Sequence, residues 1–443
     1  MTFGGRVAVV GGGMAGLAAA HELASSGAEV IVLEGSDRVG GKLLVGSVGG
    51  LALDLGAESI LARRPEGLDL IHRIGLDDHV VNPNTTTASI WTRGALRPMP
   101  PTVMGIPADI AELVESGIAE VEAHVIPVAD EDVSVAEFVT ARLGHDVLDR
   151  LVEPLLGGVY AGHSDQLSLL ATAPQIAALG ADLLGGAKAA KAGANASGPV
   201  FAGLSGGVGQ LPTAVAATPG VEVRLDATVR TIERTTEGWR LSVGPTTDVE
   251  TLDVDGVVVA TPAPAAARLL ADVAPDAAFA LAAIDYASVA IVTYVFDESP
   301  DFVGSGFLVP PVDGTFIKAA TVSSNKWGWV ADTGRTVIRA SVGRAGEATL
   351  LQHDDGDISD RALADLRTAF GGLPAPIDSV VQRWGGGLPQ YDVGHLDRVD
   401  TIDRSVATVP GLEVCGAAYR GVGIPAVIAS GRAAARRILD EGQ

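Results

Sequence analysis

A glycine-rich turn near the N-terminus constrains this chain more than any other segment. Residues 6–34, RVAVVGGGMAGLAAAHELASSGAEVIVLE, predict a buried strand, a tight turn, a helix and a second strand. Gly11, Gly13 and Gly16 supply a G-x-G-x-x-G spacing, which permits the turn, the approach of a pyrophosphate and close helix packing. The helix start offers free N–H groups to phosphate, and Glu34 can accept hydrogen bonds from a ribose. The segment predicts a dinucleotide site, and the alternative is a glycine-rich crossover of a parallel sheet that binds nothing.

Charge and composition narrow the classes of partner. The 443 residues include 31 Lys and Arg against 54 Asp and Glu, a formal net charge of −23. So acidic a chain is poorly suited to nucleic acids or to anionic membrane surfaces. The single cysteine, Cys415, excludes an internal disulfide and any multi-cysteine metal site, which suits a reducing cytosol. We therefore expect a cytoplasmic protein with no bound metal. Because no run of about eighteen apolar residues occurs, we also expect no membrane span.

Two segments that follow the glycine turn extend the pattern. Glu34, Arg38, Gly40 and Gly41 form an E-x-x-x-R-x-G-G element, and residues 51–59, LALDLGAES, bring small residues where the backbone could pass a flat ring. Taken together, these segments resemble the flavin-containing amine oxidase superfamily. The resemblance implies FAD as the cofactor.

The C-terminal part of the chain resembles the second half of the same FAD site. Residues 412–431, LEVCGAAYRGVGIPAVIASG, predict a strand, a glycine turn and a helix, and match the superfamily's C-terminal motif. Residues 383–395, RWGGGLPQYDVGH, resemble the R-W-x-x-x-x-P-x-Y-x-x-G-H element, whose tryptophan lies near the flavin. Cys415, on the predicted strand, is interpreted as a small buried thiol, so the FAD is expected to be non-covalent.

The motifs and the resemblance together give a set of cofactor-binding candidates. Val229 is included because the matching residue of the superfamily meets the adenine through its backbone, and Val422 to Ile424 because they open a helix beside the ring. The predicted cofactor-binding residues are Gly11, Gly12, Gly13, Met14, Ala15, Gly16, Glu34, Gly35, Arg38, Gly41, Lys42, Gly56, Ala57, Glu58, Ser59, Val229, Trp384, Val422, Gly423 and Ile424.

A segment in the middle of the chain indicates which branch of the superfamily the chain resembles. Residues 151–169, LVEPLLGGVYAGHSDQLSL, are very similar to a segment of the porphyrinogen oxidases, the haem-pathway enzymes that act on coproporphyrinogen and protoporphyrinogen. Within it, Gly157 and Gly158 are expected to break a helix and to bring backbone carbonyls to the substrate. Among a few clustered arginines, Arg63 and Arg97 are the candidates for binding a substrate carboxylate, and the alternative is that they are solvated surface residues.

The resemblance implies an oxygen-dependent oxidation of coproporphyrinogen III to coproporphyrin III, in which FAD takes six hydrogens in three rounds and oxygen is reduced to hydrogen peroxide. The sequences of residues 158–168 and 419–425 resemble the Gram-positive-type branch of the family, for which coproporphyrin formation is implied. Some plant-type protoporphyrinogen enzymes carry a substrate-binding arginine where this chain has Ala88, and this difference also favours coproporphyrinogen III as the substrate. The alternatives are a protoporphyrinogen IX oxidase, another flavin amine oxidase or desaturase, and a non-catalytic flavoprotein scaffold. The sequence leaves open whether a haem-pathway enzyme binds transiently as a partner.

No catalytic acid or base can be named from the sequence. None of the eight histidines stands in an evident dyad, and His163 and His395 are predicted to be structural hydrogen-bonding residues. The implied reaction needs little general-base machinery, because the cofactor carries the chemistry.

The fold expected is α/β, with a discontinuous Rossmann-like FAD-binding domain of residues 1–80, 201–270 and 384–443. An antiparallel-sheet substrate domain covers 81–105 and 271–383, and a helical insertion covers 106–200. Strands are predicted at 286–296, 315–322 and 336–342, a hairpin at 88–99 and a helix at 359–370. Residues 185–198, GGAKAAKAGANASG, are predicted to form a loop because of their low complexity.

Overall fold

A five-stranded parallel sheet carries the N-terminal glycine turn. The computed structural model describes residues 4–128, 131–193, 198–298 and 300–441. Strand Arg6–Val10 pairs with Glu29–Leu33 on one side and with Gly256–Val259 on the other. Its valine-rich sequence is buried on both faces, as is usual in a parallel sheet covered by helices. In spatial order the strands are Val221–Arg224, Glu29–Leu33, Arg6–Val10, Gly256–Val259 and Leu412–Val414.

Two helices that begin at glycine turns pack on one face of this sheet. Helix Met14–Ser25 follows the first strand, and helix Ile424–Glu441 follows the last. A Cβ at Gly431 would overlap the carbonyl oxygen of Ala15, so glycine is required where the helices meet. This close contact fixes the two helix starts relative to each other.

A second, seven-stranded sheet is mostly antiparallel. In spatial order its strands are Asp378–Pro389, Tyr286–Phe296, Thr336–Val342, Ile317–Val322, Gly306–Leu308, Ala88–Thr92 and Ala95–Pro98. Helix Asp355–Phe370 covers one face, beginning where Asp354 accepts a hydrogen bond from the Asp357 N–H and ending at Gly371, which has φ +73°. The predicted hairpin and three strands are thereby confirmed. Strand Asp378–Pro389 crosses the predicted domain boundary at 383/384, and the domain limits stay a prediction.

The mostly helical region of residues 106–200 departs from the sequence prediction in two places. Residues 185–193 belong to helix Leu183–Gly193, so the predicted loop is wrong there, and 194–197 lie outside the described residues. Its alanines and lysines favour a helix, and Leu183 and Ala187 bury one face of it. Gly157 and Gly158 do not break a helix, because both lie in the last turn of Glu153–Val159. The other segments of this region are Ile110–Ser116, Val135–Leu143, His145–Val147, the π-helical Leu148–Val152, Leu169–Thr172 and Pro174–Ala177.

The remaining elements are small sheets, short helices and turns. Three strands, Val229–Arg234, Trp239–Val243 and Glu250–Val254, form an antiparallel sheet. Further short strands are Val45–Val48, Leu51–Asp54, Ile60–Leu61, Val80–Val81, Thr102–Val103, Ile106–Pro107 and Phe201–Leu204. The remaining α-helices are Pro65–Arg73, Leu211–Ala216, Ala263–Leu270, Pro275–Ala282, Ser323–Lys326, Gly328–Ala331 and His395–Val406. Turns of 3₁₀ helix lie at Asp77–His79, Val208–Gln210, Pro311–Asp313 and Ala348–Gln352. Across the described ranges, no helix is both long enough and apolar enough to span a bilayer.

Candidate active site

A large cavity lies between the two main sheets. Its volume is about 840 Å³, and Val10, Leu33, Ala260 and Gly416, which lie at or just after the carboxyl ends of four parallel strands, form one wall. The opposite wall is the face of the seven-stranded sheet. Ligands of open α/β sheets bind outside the carboxyl ends of the strands, so this is the position expected for a nucleotide.

Both glycine turns end at this cavity. Met14 and Ala15 open the first helix on its wall, and Ile424 opens the second, preceded by Val422. The first N–H groups of a helix have no intrahelical acceptor, and the helix dipole adds positive potential there. Two such helix starts on one cavity suit a ligand that carries phosphate at one point and a polar ring at another.

Glu34 is held in place at the nucleotide end. Its Oε2 accepts a hydrogen bond of 2.7 Å from the Gly12 N–H, and its Oε1 accepts from the Ser36 N–H at 2.9 Å and the Ser36 hydroxyl at 2.7 Å. These donors fix a carboxylate on the cavity wall beside Gly35 and Val229. A fixed carboxylate at the end of the second strand can accept hydrogen bonds from ribose hydroxyls.

The space around two glycines of the N-terminal turn shows whether the cavity suits a bound cofactor. A Cβ on Gly16 would overlap the Gly11 carbonyl, so the protein's own packing requires glycine there. Apart from its own chain neighbours, no atom of the described residues lies within 4 Å of a Cβ built on Gly13, yet Gly13 lies on the cavity wall with ordinary extended backbone angles. Neither packing nor backbone strain explains that glycine. The absence of a side chain at Gly13 leaves room for a molecule in the cavity. The two glycine turns and the Glu34 carboxylate on its wall fit FAD.

The structure brings most predicted cofactor residues to the cavity. The predicted residues that line the cavity are Gly11, Gly13, Met14, Ala15, Glu34, Gly35, Gly41, Lys42, Gly56, Ala57, Val229, Trp384, Val422 and Ile424, together with Gly158. Those that do not are Gly12, Gly16, Arg38, Glu58, Ser59 and Gly423, together with Gly157, Arg63 and Arg97. Direct contact of either group with FAD or substrate stays a prediction, and the second group does not line this cavity.

Arg38 shapes the wall and does not line it. Its guanidinium donates to the Gly41 carbonyl at 2.7 Å and to the Val39 carbonyl at 3.2 Å, and it lies 5.9 Å from the centroid of the Trp384 ring. The neighbouring Lys42 does line the cavity, and burial lowers its pKa. Lys42 is therefore better placed than Arg38 to meet a cofactor phosphate or ring.

Gly56 allows a tryptophan to pack against the backbone. A Cβ on Gly56 would overlap the Lys42 carbonyl and lie 3.1 Å from the Trp384 ring. The Trp384 indole N–H donates to the Leu55 carbonyl at 3.3 Å, which keeps the ring on the cavity wall. The flat surface expected beside the cofactor is therefore built from two distant segments of the chain.

Glu58 and Ser59 take part in a buried ion-pair network instead of lining the cavity. The Glu58 carboxylate contacts Lys326 Nζ at 2.7 Å and Arg339 Nη1 at 2.6 Å, and Lys326 also donates to the Ser59 hydroxyl. Arg339 donates in addition to the carbonyl of Gly56, which lines the cavity. The network ties the cavity wall to the seven-stranded sheet.

Tyr391 supports the C-terminal glycine turn. Its buried hydroxyl donates to the Ala417 carbonyl at 2.6 Å and accepts from the Gly421 N–H at 2.8 Å. Both partners lie between the last strand of the parallel sheet and the helix that begins at Ile424. The tyrosine therefore holds open the turn that presents Val422 to the cavity.

Tyr391→Phe is expected to weaken FAD binding about tenfold, because it removes the partner of two partly buried backbone groups, at a cost of about 1–2 kcal/mol. FAD titration monitored by flavin fluorescence measures the effect. Tyr294→Phe is the matched control. Tyr294 lies in strand Tyr286–Phe296, does not line the cavity, and donates its hydroxyl to the Ser359 carbonyl of the covering helix at 2.6 Å. Equal losses of FAD affinity in both variants would contradict a local role for Tyr391.

The histidines and the cysteine have structural surroundings. His395 stacks on Tyr391 at 3.9 Å, pairs with the Tyr419 carbonyl through Nε2 at 2.8 Å, and has its pKa lowered by burial to about 4. His163 Nε2 lies 3.0 Å from the Ala345 carbonyl. Cys415 is fully buried off the cavity wall, and burial raises its pKa to about 12. These surroundings favour hydrogen-bonding histidines and an unattached thiol.

The predicted arginine contacts are not brought to the cavity. Arg97 donates to the Ser116 carbonyl at 3.1 Å beside Gly117, and Arg63 is exposed; neither lines the wall. The sequence instead missed Val289, Ile291 and Ser341, which line the sheet face together with Lys318. The available signal was a lone lysine in an apolar strand, residues 317–322, but strand periodicity alone does not give the face on which it lies.

Comparisons with known proteins agree with this geometry. The model of the flavin containing amine oxidoreductase family matches residues 14–439. A protein named coproporphyrinogen III oxidase from Mycobacterium leprae (strain TN) is 37% identical over 442 residues, covering 96% of each chain. Protoporphyrinogen oxidase 1, chloroplastic, from Arabidopsis thaliana is 27% identical, covering 90% of this chain and 81% of the relative. A solved structure from Exiguobacterium sp. 255-15, provisionally named a protoporphyrinogen oxidase, superposes with TM-score 0.85 at 32% identity and covers 98% of each chain.

These matches extend over nearly the whole chain, and FAD is the cofactor that both the family and the cavity indicate. The chain belongs to the flavin-containing amine oxidoreductase family, in the branch that includes these porphyrinogen oxidases.

Proposed function

We propose that this protein oxidises coproporphyrinogen III to coproporphyrin III with oxygen as the final acceptor. The observation that carries the proposal is one cavity that joins a dinucleotide edge to a largely apolar sheet face, in a chain 37% identical to a coproporphyrinogen III oxidase over nearly its full length. Removing six hydrogens from the porphyrinogen takes three two-electron steps, and three molecules of oxygen balance them as three of hydrogen peroxide. Bound FAD supplies the two-electron acceptor.

The protein's own residues position the macrocycle and exclude water. Val289, Ile291 and Leu388 give the sheet side of the cavity an apolar surface, and Trp384 adds a flat ring beside Gly56. Holding a flexible substrate against a bound ring lowers the entropic part of the barrier. No histidine or carboxylate lines this side among the described residues, so no side chain there is assigned as the base that takes the pyrrole protons.

The nearest rival is the oxidation of protoporphyrinogen IX, which has two propionates where coproporphyrinogen III has four. Purified protein is expected to be yellow, to form fluorescent coproporphyrin together with peroxide in air, and to show a kcat/KM at least tenfold higher for coproporphyrinogen III. The measurement is a side-by-side fluorimetric assay of the two substrates. A preference for protoporphyrinogen IX would contradict the substrate, and turnover of neither porphyrinogen would contradict the whole proposal.

Two further alternatives predict other outcomes. An amine oxidase or desaturase would reduce its flavin with an amine or a carotenoid precursor, and a flavoprotein scaffold would bind FAD that no porphyrinogen reduces. Cytoplasmic location, non-covalent attachment of FAD and a transient haem-pathway partner remain parts of this proposal. Release of the flavin by acid precipitation would support non-covalent attachment.

A further inference from the structure

A β-bulge turns a buried lysine into the cavity. In strand Ile317–Val322 the pairing with the next strand shifts between Ile317 and Ala319, so Lys318 is the extra residue. Strict alternation would put Lys318 on the same face as Ala320 and Val322, which pack in the apolar core. Instead Lys318 lines the cavity. Bulges often re-aim a side chain beside an active site.

Lys318 has few partners for a charged group. It is 5% exposed, and its Nζ donates to the Gly157 carbonyl at 3.1 Å. An ammonium group has three N–H donors, so two remain for a ligand. Among the described lining residues the acidic side chain is Glu34, which lies at the nucleotide end of the cavity. The sheet end therefore presents a buried amine without a carboxylate partner.

The charged groups around Lys318 leave a positive environment. Arg344 is a nearby second cation, and Glu347 is the nearby anion, 3.9 Å from Arg344 Nη1. Glu153, on the helix that supplies Gly157, lies 3.7 Å from His163 Nδ1. Burial, and then Arg344, lower the pKa of Lys318 to about 7, while Glu347 opposes the shift. An anionic ligand group in the cavity would relieve both the burial and the repulsion.

We propose that Lys318 binds one propionate carboxylate of the substrate and so anchors the macrocycle against the face of the seven-stranded sheet. The inference rests on the proposed function and names a contact that Arg63 and Arg97 do not supply from their positions. Gly157 takes part through its carbonyl, which orients the amine and leaves its other donors directed at the cavity.

The anchor makes binding depend on pH in a defined direction. A carboxylate beside Lys318 favours the ammonium form, so binding raises the pKa of the lysine and takes up a proton when the free group is partly neutral. Because the free pKa is about 7, proton uptake is expected between about pH 7 and pH 9, and affinity is expected to fall as the pH rises through that range.

The test compares two ligands on the FAD-loaded protein. Coproporphyrin III carries the four carboxylates and cannot be oxidised further, and its tetramethyl ester has the same ring without charge. Lys318→Met is expected to weaken coproporphyrin III binding at least tenfold at pH 7, to leave the ester unchanged within about twofold, and to abolish proton uptake in calorimetry performed in buffers of different ionisation enthalpy. Lys191→Met, an exposed lysine on helix Leu183–Gly193, is the charge-matched control and should leave all three quantities unchanged.

The outcomes separate this inference from the proposed function. If the wild-type protein turns over coproporphyrinogen III but Lys318→Met binds coproporphyrin III normally, the anchor is wrong and the proposed function stands. Equal loss of both ligands in Lys318→Met would also overturn the anchor, because it would indicate a general change of the cavity. FAD content and melting temperature of the variant are expected to match the wild type, since methionine replaces a buried amine with an apolar chain of similar length.

Discussion

Gly13→Ala is expected to weaken FAD binding about a hundredfold, or about 2.8 kcal/mol, while the apoprotein keeps its melting temperature. The physical reason is the position of the missing Cβ. Within the part of the chain that the structure describes, only the immediate chain neighbours of Gly13 come within 4 Å of it, yet Gly13 lies on the cavity wall at the start of helix Met14–Ser25. The added methyl group would take up the space through which a pyrophosphate approaches the backbone N–H groups.

Substitutions of two other glycines, one with a tightly packed Cβ position and one with an open one, serve as controls. Gly16→Ala would force a methyl group onto the Gly11 carbonyl, so it should lower both the melting temperature and FAD uptake. Gly4→Ala has open space around its Cβ and should change neither. FAD affinity is measured by fluorescence titration of the apoprotein, and stability by calorimetry. Normal FAD affinity in Gly13→Ala, or a loss of fold equal to that of Gly16→Ala, would contradict the assignment of this turn to the cofactor.

Glu58→Gln is expected to lower the free energy of unfolding by about 3–5 kcal/mol, the usual cost of removing one partner from a buried ion pair. The Glu58 side chain is 12% exposed, and its carboxylate is shared between Lys326 and Arg339. The amide would leave two buried cations without a counter-charge. Because Arg339 also holds the Gly56 carbonyl, FAD affinity is expected to fall together with stability.

The same network predicts how the stability of the protein changes with pH. Burial opposes ionisation of Glu58, but Lys326 and Arg339 outweigh it and lower the pKa from 4.5 to about 2. A depressed carboxylate pKa contributes stability that is complete above the unfolded value and is lost as the pH falls from about 4.5 towards 2. Urea unfolding across that range should show a shallower pH slope for Glu58→Gln than for the wild type. The exposed pair Arg240 and Asp253 supplies the control, since Asp253→Asn should have no measurable effect.

The cofactor half of the site could be predicted from the sequence because its signals are local. The spacing of Gly11, Gly13 and Gly16 marks the turn, and Gly16 needs glycine because a Cβ there would overlap the nearby Gly11 carbonyl. The helix that begins at Ile424 likewise follows its own glycine turn. Strands of strongly apolar residues, such as Tyr286–Phe296, were likewise predicted with correct limits. In each case the neighbouring sequence contains the physical cause.

The substrate half depends on pairings between distant segments. Lys318 reaches the cavity only because of a bulge against strand Thr336–Val342, and no local pattern marks that shift. Glu58 belongs to a motif-like segment but meets Lys326 and Arg339, which lie far along the chain. The low complexity of residues 185–198 predicts a loop, but packing of Leu183 and Ala187 against distant segments stabilises helix Leu183–Gly193.

The most direct test of the central claim is to mix the FAD-loaded protein with coproporphyrinogen III in the absence of oxygen and to follow the visible flavin absorbance. The account predicts rapid loss of that absorbance, followed by its return and the appearance of porphyrin fluorescence when air is admitted. If the protein cannot be loaded with FAD, or if its flavin keeps its full absorbance with coproporphyrinogen III, the cavity between the two sheets is not the site of this oxidation.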